Sequence, residues 1–149
     1  MKKHLMLKLL KIAAFEGLMK KLIFTVVTAA LLSACSTNPA TNAIPTSPIL
    51  YSESSSDTSI VTVTRDSGVL GSACSMKLSV DDNIVAKLKP SDSVTLHIPS
   101  GRHILSFDTR GGLCPSVTDA IDMTLSEGDV KKYRIRGDMN GNFQLLPTL

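Results

Sequence analysis

The feature that most constrains the fold is an alternation of apolar and polar side chains with a period of two residues. In one run, Met76, Leu78 and Val80 alternate with serine and lysine. Since successive side chains of a strand point to opposite faces, each such run predicts a strand with one buried face. The runs lie at residues 60–64, 75–80, 84–89, 94–99, 103–107, 121–126, 133–136 and 143–146.

Short turn sequences separate these runs. Asp81-Asp82-Asn83, Pro99-Ser100-Gly101 and Glu127-Gly128-Asp129 are examples of residues that favour tight turns. The spacing between runs is mostly about 8–12 residues, with no stretch of helical period between them. Residues 60–149 are therefore predicted to form an all-β domain, a small antiparallel β-sandwich of about seven or eight strands, with a small barrel as the alternative.

Residues 1–34 have the pattern of a secretory signal peptide. Two lysines after Met19 precede an apolar run, and no further charge occurs before Glu53. The run is shorter than the roughly 20 residues of a transmembrane helix, and a buried core helix is the alternative. Met19 also has the features of a true start, and the other interpretation of residues 1–18 is a membrane-binding amphipathic helix.

The segment Leu32-Ser33-Ala34-Cys35 resembles the lipobox of bacterial lipoproteins. The resemblance implies a diacylglyceryl group on the Cys35 sulfur, cleavage before Cys35, and acylation of the new amino group. Several acyl chains, at about 0.8 kcal/mol per buried CH₂, would hold the protein on a membrane. In such proteins, Ser36 rather than an aspartate implies an outer-membrane location, and we expect the domain to face the periplasm.

The stretch after Cys35 differs in composition from the predicted domain. Of the 24 residues in 36–59, 16 are Ser, Thr, Asn or Pro, and the few apolar residues show no sustained period. Residues 35–59 are therefore predicted to be the lipidated cysteine and a flexible linker, of which the part near residues 49–51 docks on the domain.

Two further cysteines, Cys74 and Cys114, remain if Cys35 carries lipid. In an oxidising compartment an even count predicts a disulfide. The enclosed loop of about 41 residues would contribute roughly 4 kcal/mol in the chain-entropy model. A redox-active or metal-binding pair is the alternative, but there is no Cys-x-x-Cys motif or neighbouring ligand set.

The charge is divided unevenly along the chain. Residues 1–35 hold six of the 16 Lys and Arg and one of the 13 Asp and Glu, so the remainder has ten bases and 12 acids. This balance argues against nucleic-acid binding. Lys132, Arg134 and Arg136 should share one strand face, where they are candidates for binding an envelope protein, lipid headgroups or an anionic glycan. A solvated face, or a strand edge guarded against aggregation, is the alternative.

Residues 69–146 resemble small Gram-negative lipoprotein domains and, more loosely, the PEGA-type β-sandwich modules of bacterial surface proteins. The resemblance is carried by Gly71-Ser72-Ala73-Cys74, by Val80-Asp81-Asp82-Asn83 and by the segment Ile98–Leu105. Asp82-Asn83 departs from the glycine-containing turn that is usual there. The resemblance implies a β-sandwich and no settled activity.

Catalytic chemistry has little support in the sequence. A triad of His103, Asp108 and a serine would need a Gly-x-Ser-x-Gly elbow or a similar device, and none occurs. His97 and His103 are each expected to be structural or solvated, and no metal site or cofactor is predicted. We expect a lipid-anchored binding or structural module without enzymatic activity. The alternative is an inhibitor of a periplasmic or host hydrolase that acts through the loop Arg110–Ser116.

Overall fold

A computed structural model describes residues 37–69, 71–109, 114, 116–138 and 140–148. The predicted signal peptide, Cys35 and loop residues 110–113 and 115 lie outside the described residues. Within these residues there are nine strands: β1 (Ile44–Thr46), β2 (Thr58–Arg65), β3 (Met76–Val80), β4 (Asn83–Leu88), β5 (Asp92–Pro99), β6 (Gly101–Asp108), β7 (Thr118–Leu125), β8 (Val130–Gly137) and β9 (Phe143–Thr148).

The strands form two sheets, which confirms the predicted all-β sandwich. One sheet has five strands in the order β1-β5-β2-β8-β9, and the other has four in the order β4-β3-β6-β7. All eight predicted runs are strands, and the additional strand, β1, lies in the predicted linker. Two pairings, β1 with β5 and β2 with β8, are parallel, so the five-stranded sheet is mixed rather than purely antiparallel.

The core lies between the sheets and consists of the inward residues of the alternating runs. Val61 and Val63 of β2 and Leu78 of β3 are fully buried, as their alternation predicts. The other fully buried core residues are Val80, Val85, Ala86, Leu88, Val94, Leu96, Ile98, Leu105 and Ile135.

A β-bulge in β4 overturns one predicted orientation. Leu78 pairs with Ala86, but the next residue, Ser79, pairs with Ile84, so Val85 is the extra residue. Val85 and Ala86 are therefore both buried, whereas Ile84 is 41% exposed. Strict alternation through the run 84–89 would place Ile84 on the inner face with Ala86 and Leu88, because a pattern of period two makes no allowance for an extra residue.

The sandwich has two distinct ends. Parallel pairing of β2 with β8 places Arg65 and Gly137 at the same end, which also holds the loops 66–75 and 138–142. We call this the Thr37 end, because Thr37 contacts Gly137 there. The turns at 81–82, 99–101 and 126–129 lie at the opposite end.

The segment 37–51 is not a free linker, which corrects the prediction for that part of the chain. The Ile44 N–H donates to Ser91 O at 2.8 Å, and the Ile49 N–H donates to Val85 O at 2.7 Å. The His97 N–H donates to Tyr51 O at 2.8 Å, so the expected docking near residues 49–51 is confirmed. The segment thereby bridges the edges of both sheets. Its composition did not reveal this, because most of these contacts use backbone groups that nearly every residue type possesses.

On the other side of the sandwich, Asp119 links the two sheets. Its Oδ1 accepts from the Ala120 N–H at 3.0 Å and its Oδ2 accepts from the Leu145 N–H at 2.8 Å. The Lys131 Nζ donates to the carbonyl of Thr124, on the same strand as Asp119. Charged side chains therefore form hydrogen bonds with backbone groups of the edge strand β7. Those groups could otherwise pair with the strand of another molecule.

The loop between β2 and β3 is held at two points. Cys74 and Cys114 form the predicted disulfide. The buried guanidinium of Arg65 donates to three carbonyls: Cys74 at 2.5 Å, Leu88 at 2.9 Å and Gly71 at 2.7 Å. Burial lowers the pKa of Arg65 to about 10, so the side chain stays charged near neutral pH.

Candidate functional site

The outer face of the five-stranded sheet is rich in hydroxyl groups. Thr62 and Thr95 face each other on β2 and β5, with their Oγ1 atoms 3.4 Å apart. In the next outward-facing pair, Thr64 Oγ1 and Ser93 Oγ are 2.8 Å apart. Thr148 of β9 lies opposite Lys132 of β8. Each hydroxyl is both a donor and an acceptor, so this face can form hydrogen bonds with a polar ligand.

The segment after Thr37 turns this face into a groove. A space of about 220 Å³ is walled by Pro39, Ala40 and Ala43. Its floor and remaining wall are formed by Thr62, Thr64, Asp66, Lys132, Tyr133, Arg134 and Thr148. A second space of about 420 Å³ also borders Ala43 and continues along residues 45–48 to Ser93 and Thr95. The groove therefore exists because residues 37–51 dock on the sheet.

The three predicted partner-binding residues have different environments. Arg134 donates from Nε to Asp66 Oδ1 at 3.0 Å and from Nη2 to Asp66 Oδ2. Since the Asp66 side chain is only 1% exposed, Arg134 neutralises a buried carboxylate and belongs to the fold. Lys132 and Arg136 are exposed, and among the described residues neither forms an ion pair.

Thr37 forms an extensive contact at one end of this groove, which the sequence did not predict. The Gly137 N–H donates to Thr37 Oγ1 at 2.8 Å, and the Thr37 N–H donates to Gly137 O at 3.3 Å. The Thr37 hydroxyl hydrogen has two acceptors within reach, Gly137 O at 3.1 Å and Asp66 Oδ2 at 3.2 Å. Asn38 and Ser67 add two backbone hydrogen bonds of 2.8 and 2.9 Å.

Two glycines make room for Thr37. A Cβ atom at Gly137 would lie 3.1 Å from Thr37 Cγ2 and 2.7 Å from the Phe143 ring, which is closer than real Cβ contacts. A Cβ atom at Gly68, whose φ is +154°, would lie 3.1 Å from Thr37 Cγ2. We call Thr37, Asp66, Gly137 and Arg134 the Thr37 clamp.

The two histidines do not form a triad with the residues considered. His103 Nδ1 lies 2.7 Å from Asp81 Oδ2, and His103 Nε2 lies 3.0 Å from Pro99 O. The acidic partner of His103 is thus Asp81 rather than Asp108. The Pro99 carbonyl contacts Nε2, the nitrogen that would face the serine hydroxyl in a triad. His97 Nδ1 is buried and lacks a hydrogen-bond partner in the described part of the chain.

Metal ligands do not gather within the described ranges. No group of three His, Cys, Asp or Glu residues there could hold a metal ion. Of the loop Arg110–Ser116, the structure describes only Cys114 and Ser116, so the inhibitor hypothesis stays a prediction. None of the described residues belongs to a helix that is long and apolar enough to cross a bilayer.

Fold and groove together define a disulfide-bonded β-sandwich with a hydroxyl-rich face that carries two exposed basic side chains. In comparisons with known proteins, no family model matches the sequence and no curated protein does. The resemblances to lipoproteins and to PEGA-type modules therefore stay predictions.

Proposed function

We propose that this chain is a lipid-anchored, non-catalytic binding module of the bacterial outer membrane, faces the periplasm, and binds an anionic glycan on its five-stranded sheet. The observation that carries the proposal is the groove in which Lys132 lies beside the threonine rows of β2, β5 and β9. Arg136 provides a second exposed charge on the same face.

The chemistry of the groove suits a charged sugar. Hydroxyls of Thr62, Thr64 and Thr148 can exchange hydrogen bonds with sugar hydroxyls, which are also both donors and acceptors. A carboxylate or phosphate on the sugar would pair with Lys132, whose ammonium is a donor only.

A protein partner fits the same face less well. The centre of a stable protein interface is usually apolar and depleted of charge. Here the centre is formed by hydroxyl groups, with the charged pair of Arg134 and Asp66 beside them. A polar ligand narrow enough to enter a groove of about 220 Å³ therefore suits the site better.

The anchor is tested by Cys35→Ser. We expect this variant to lose fatty-acid labelling and to leave the membrane fraction in high salt, whereas Ser36→Ala should retain both. If Cys35→Ser still fractionates with membranes under those conditions, the lipid anchor is wrong.

The binding face is tested with dextran sulfate, against uncharged dextran of the same length. Lys132→Glu with Arg136→Glu should weaken binding about tenfold or more, which corresponds to roughly 1.4 kcal/mol. Lys87→Glu with Lys89→Glu makes the same charge change elsewhere and should have a much smaller effect. Thr62→Val with Thr95→Val keeps the net charge and should also weaken binding if the groove is used.

Two outcomes would contradict the glycan proposal. In one, both charge-reversed pairs lose affinity equally and the valine pair behaves as wild type, as expected for a general attraction between charges. In the other, cross-linking in the native envelope captures a protein through Lys132, which would favour an envelope protein as the partner.

A further inference from the structure

The beginning of the described chain is firmly attached to the sandwich. Thr37 is 8% exposed and forms hydrogen bonds with Gly137, which is 100 residues away in the sequence. Asn38 pairs with Ser67 in both directions immediately afterwards. Thr37 therefore belongs to the folded domain, although it is only two residues beyond Cys35.

This short separation limits the distance between the domain and a membrane to which the domain is anchored through Cys35. Two residues span at most roughly 7 Å when fully extended. The headgroup layer on one side of a bilayer is itself about 5–8 Å thick. Acyl chains on Cys35 would therefore hold Thr37 at the surface of the headgroups, with no linker to separate them.

The loops beside Thr37 have properties that suit this location. Val69, next to the glycine that contacts Thr37, is 80% exposed, more than any other large apolar residue described. Lys87, Lys89 and Arg136 are exposed in the half of the domain nearest this end. Acids also lie in this half: Asp66 is paired with Arg134, Asp92 accepts from the Lys89 N–H, and Asp138 accepts from the backbone of Asn140 and Asn142. Asp108 ends β6 and Asp119 lies near the start of β7.

The opposite end has an acidic character. Its turns contain Asp57, Asp81, Asp82, Glu127 and Asp129. Three cations lie near this end: Arg102 pairs with Asp122, Lys131 lies 3.7 Å from Asp129, and Lys132 is exposed. The acids of the turns outnumber them. An anionic lipid surface would therefore attract the Thr37 end and repel the opposite end.

We infer that the Thr37 end of the sandwich rests directly on the lipid headgroups, with Val69 against the membrane and the acidic turns pointing away from it. This inference rests on the lipid anchor of the proposed function. It also places the groove, whose wall begins at Pro39, immediately above the headgroups. A glycan bound there would be one that lies close to the membrane surface.

The experiment uses the full lipidated chain in vesicles that contain an anionic phospholipid. A fluorophore is attached at Val69→Cys or, as the matched control, at Glu127→Cys in the β7–β8 turn. The length of β8, eight residues, separates the two ends by roughly 23 Å. A phospholipid with a nitroxide on its headgroup should quench the label at position 69 several-fold more than the label at position 127.

A linker insertion tests the role of the short connection. Twelve Gly and Ser residues placed between Ser36 and Thr37 would add a coil of roughly 20 Å. We expect the inserted protein to float with the vesicles as before and quenching at position 69 to fall toward that at position 127.

Equal quenching at the two positions in protein that floats with the vesicles would overturn the orientation and leave the lipid anchor intact. Strong quenching at position 69 that the insertion does not change would show that the membrane is contacted for another reason, and would overturn the role of Thr37. Protein that carries no fatty acid and stays at the bottom of the gradient would overturn the lipid anchor and this inference together.

Discussion

Arg65 and Cys74 are joined by a hydrogen bond of 2.5 Å from the guanidinium Nη1 to the Cys74 carbonyl. The same side chain bonds to Gly71 and Leu88, so one buried cation holds the loop that also carries the disulfide. We expect Arg65→Met to lower the free energy of unfolding by about 3 kcal/mol, because three carbonyls lose their donor. Urea denaturation without reductant measures this effect.

Arg102→Met is the matched control for Arg65→Met. The Arg102 side chain is 78% exposed in its ion pair with Asp122, so its removal should have little effect on the free energy of unfolding. Equal effects of the two substitutions would show that the Arg65 contacts contribute little.

The disulfide should be a major source of stability. Cys74 and Cys114 are 40 residues apart in the sequence, for which the chain-entropy model gives roughly 4 kcal/mol. We expect Cys74→Ser with Cys114→Ser to lower the melting temperature markedly, and the oxidised protein to yield the linked peptide in mass spectrometry. Two titratable thiols in protein purified without reductant would contradict this.

Arg134 and Arg136 lie two residues apart on the same strand face and should differ in their effect on stability. Arg134→Ala leaves the buried carboxylate of Asp66 without its cation, which should cost about 3 kcal/mol. Arg136→Ala removes an exposed charge and should change the free energy of unfolding by less than about 0.5 kcal/mol. Thermal and urea denaturation of the two variants provide the comparison, and similar values would argue against a structural role for Arg134.

The contact between Asp81 and His103 should make stability depend on acidic pH. Hydrogen bonds from His103 and then from the Ile104 N–H lower the pKa of Asp81 below its ordinary value of 3.8. The unfolded chain therefore binds a proton more readily than the folded chain. The stabilisation is present in full above about pH 4 and is lost as the pH falls below it.

Asp81→Asn should flatten the decline in stability below about pH 4, because the amide does not titrate. Asn also tolerates the positive φ of +49° at this position. The neighbouring substitution Asp82→Asn, at a φ of +63°, removes a carboxylate from the same turn and leaves the contacts to His103 and Ile104 in place. If Asp82→Asn flattens the profile as much as Asp81→Asn does, general charge rather than the histidine contact is responsible.

Asp119 should protect the protein from aggregation as well as stabilise it. Asp119→Ala leaves the N–H groups of Ala120 and Leu145 without their acceptor, at a cost of about 1–3 kcal/mol. It also exposes the edge of β7 to another strand. We expect faster aggregation on mild heating, followed by light scattering, than for Asp122→Ala on the outer face of the same strand. Indistinguishable behaviour would contradict the protective role.

Much of the fold follows from local pattern, whereas its exceptions depend on distant contacts. Alternation predicts β5 correctly, since Val94, Leu96 and Ile98 are the apolar residues of its pattern and all three are buried on one face. It cannot predict β1, which is three residues long and is held by pairing with β5 rather than by a buried side-chain pattern. It also misplaces Ile84, because the extra residue in β4 is apparent only from the pairing with β3.

In the candidate site, too, some features follow from local pattern and others depend on distant contacts. The sequence places Lys132, Arg134 and Arg136 on one face, and they do lie on one face. It cannot separate Arg134 from the other two, because the partner of Arg134, Asp66, is 68 residues away. Thr37 is one of many small polar residues in its segment, and only the space left by Gly68 and Gly137 distinguishes it.

The Thr37 clamp, in which Thr37 bonds to Gly137, also determines when this part of the chain can fold relative to its export. A chain that is exported from its N-terminus releases Thr37 about 100 residues before Gly137, so Thr37 has no partner until β8 has followed. Because a contact between residues 100 positions apart needs both of them, this junction cannot become ordered before Gly137 has been released. If Cys35 is lipidated as proposed, a peptidase that cleaves before Cys35 would therefore meet Thr37 while Thr37 is still unattached. Maturation would precede folding, and a chain that folded first would present the enzyme with a substrate already held on one side.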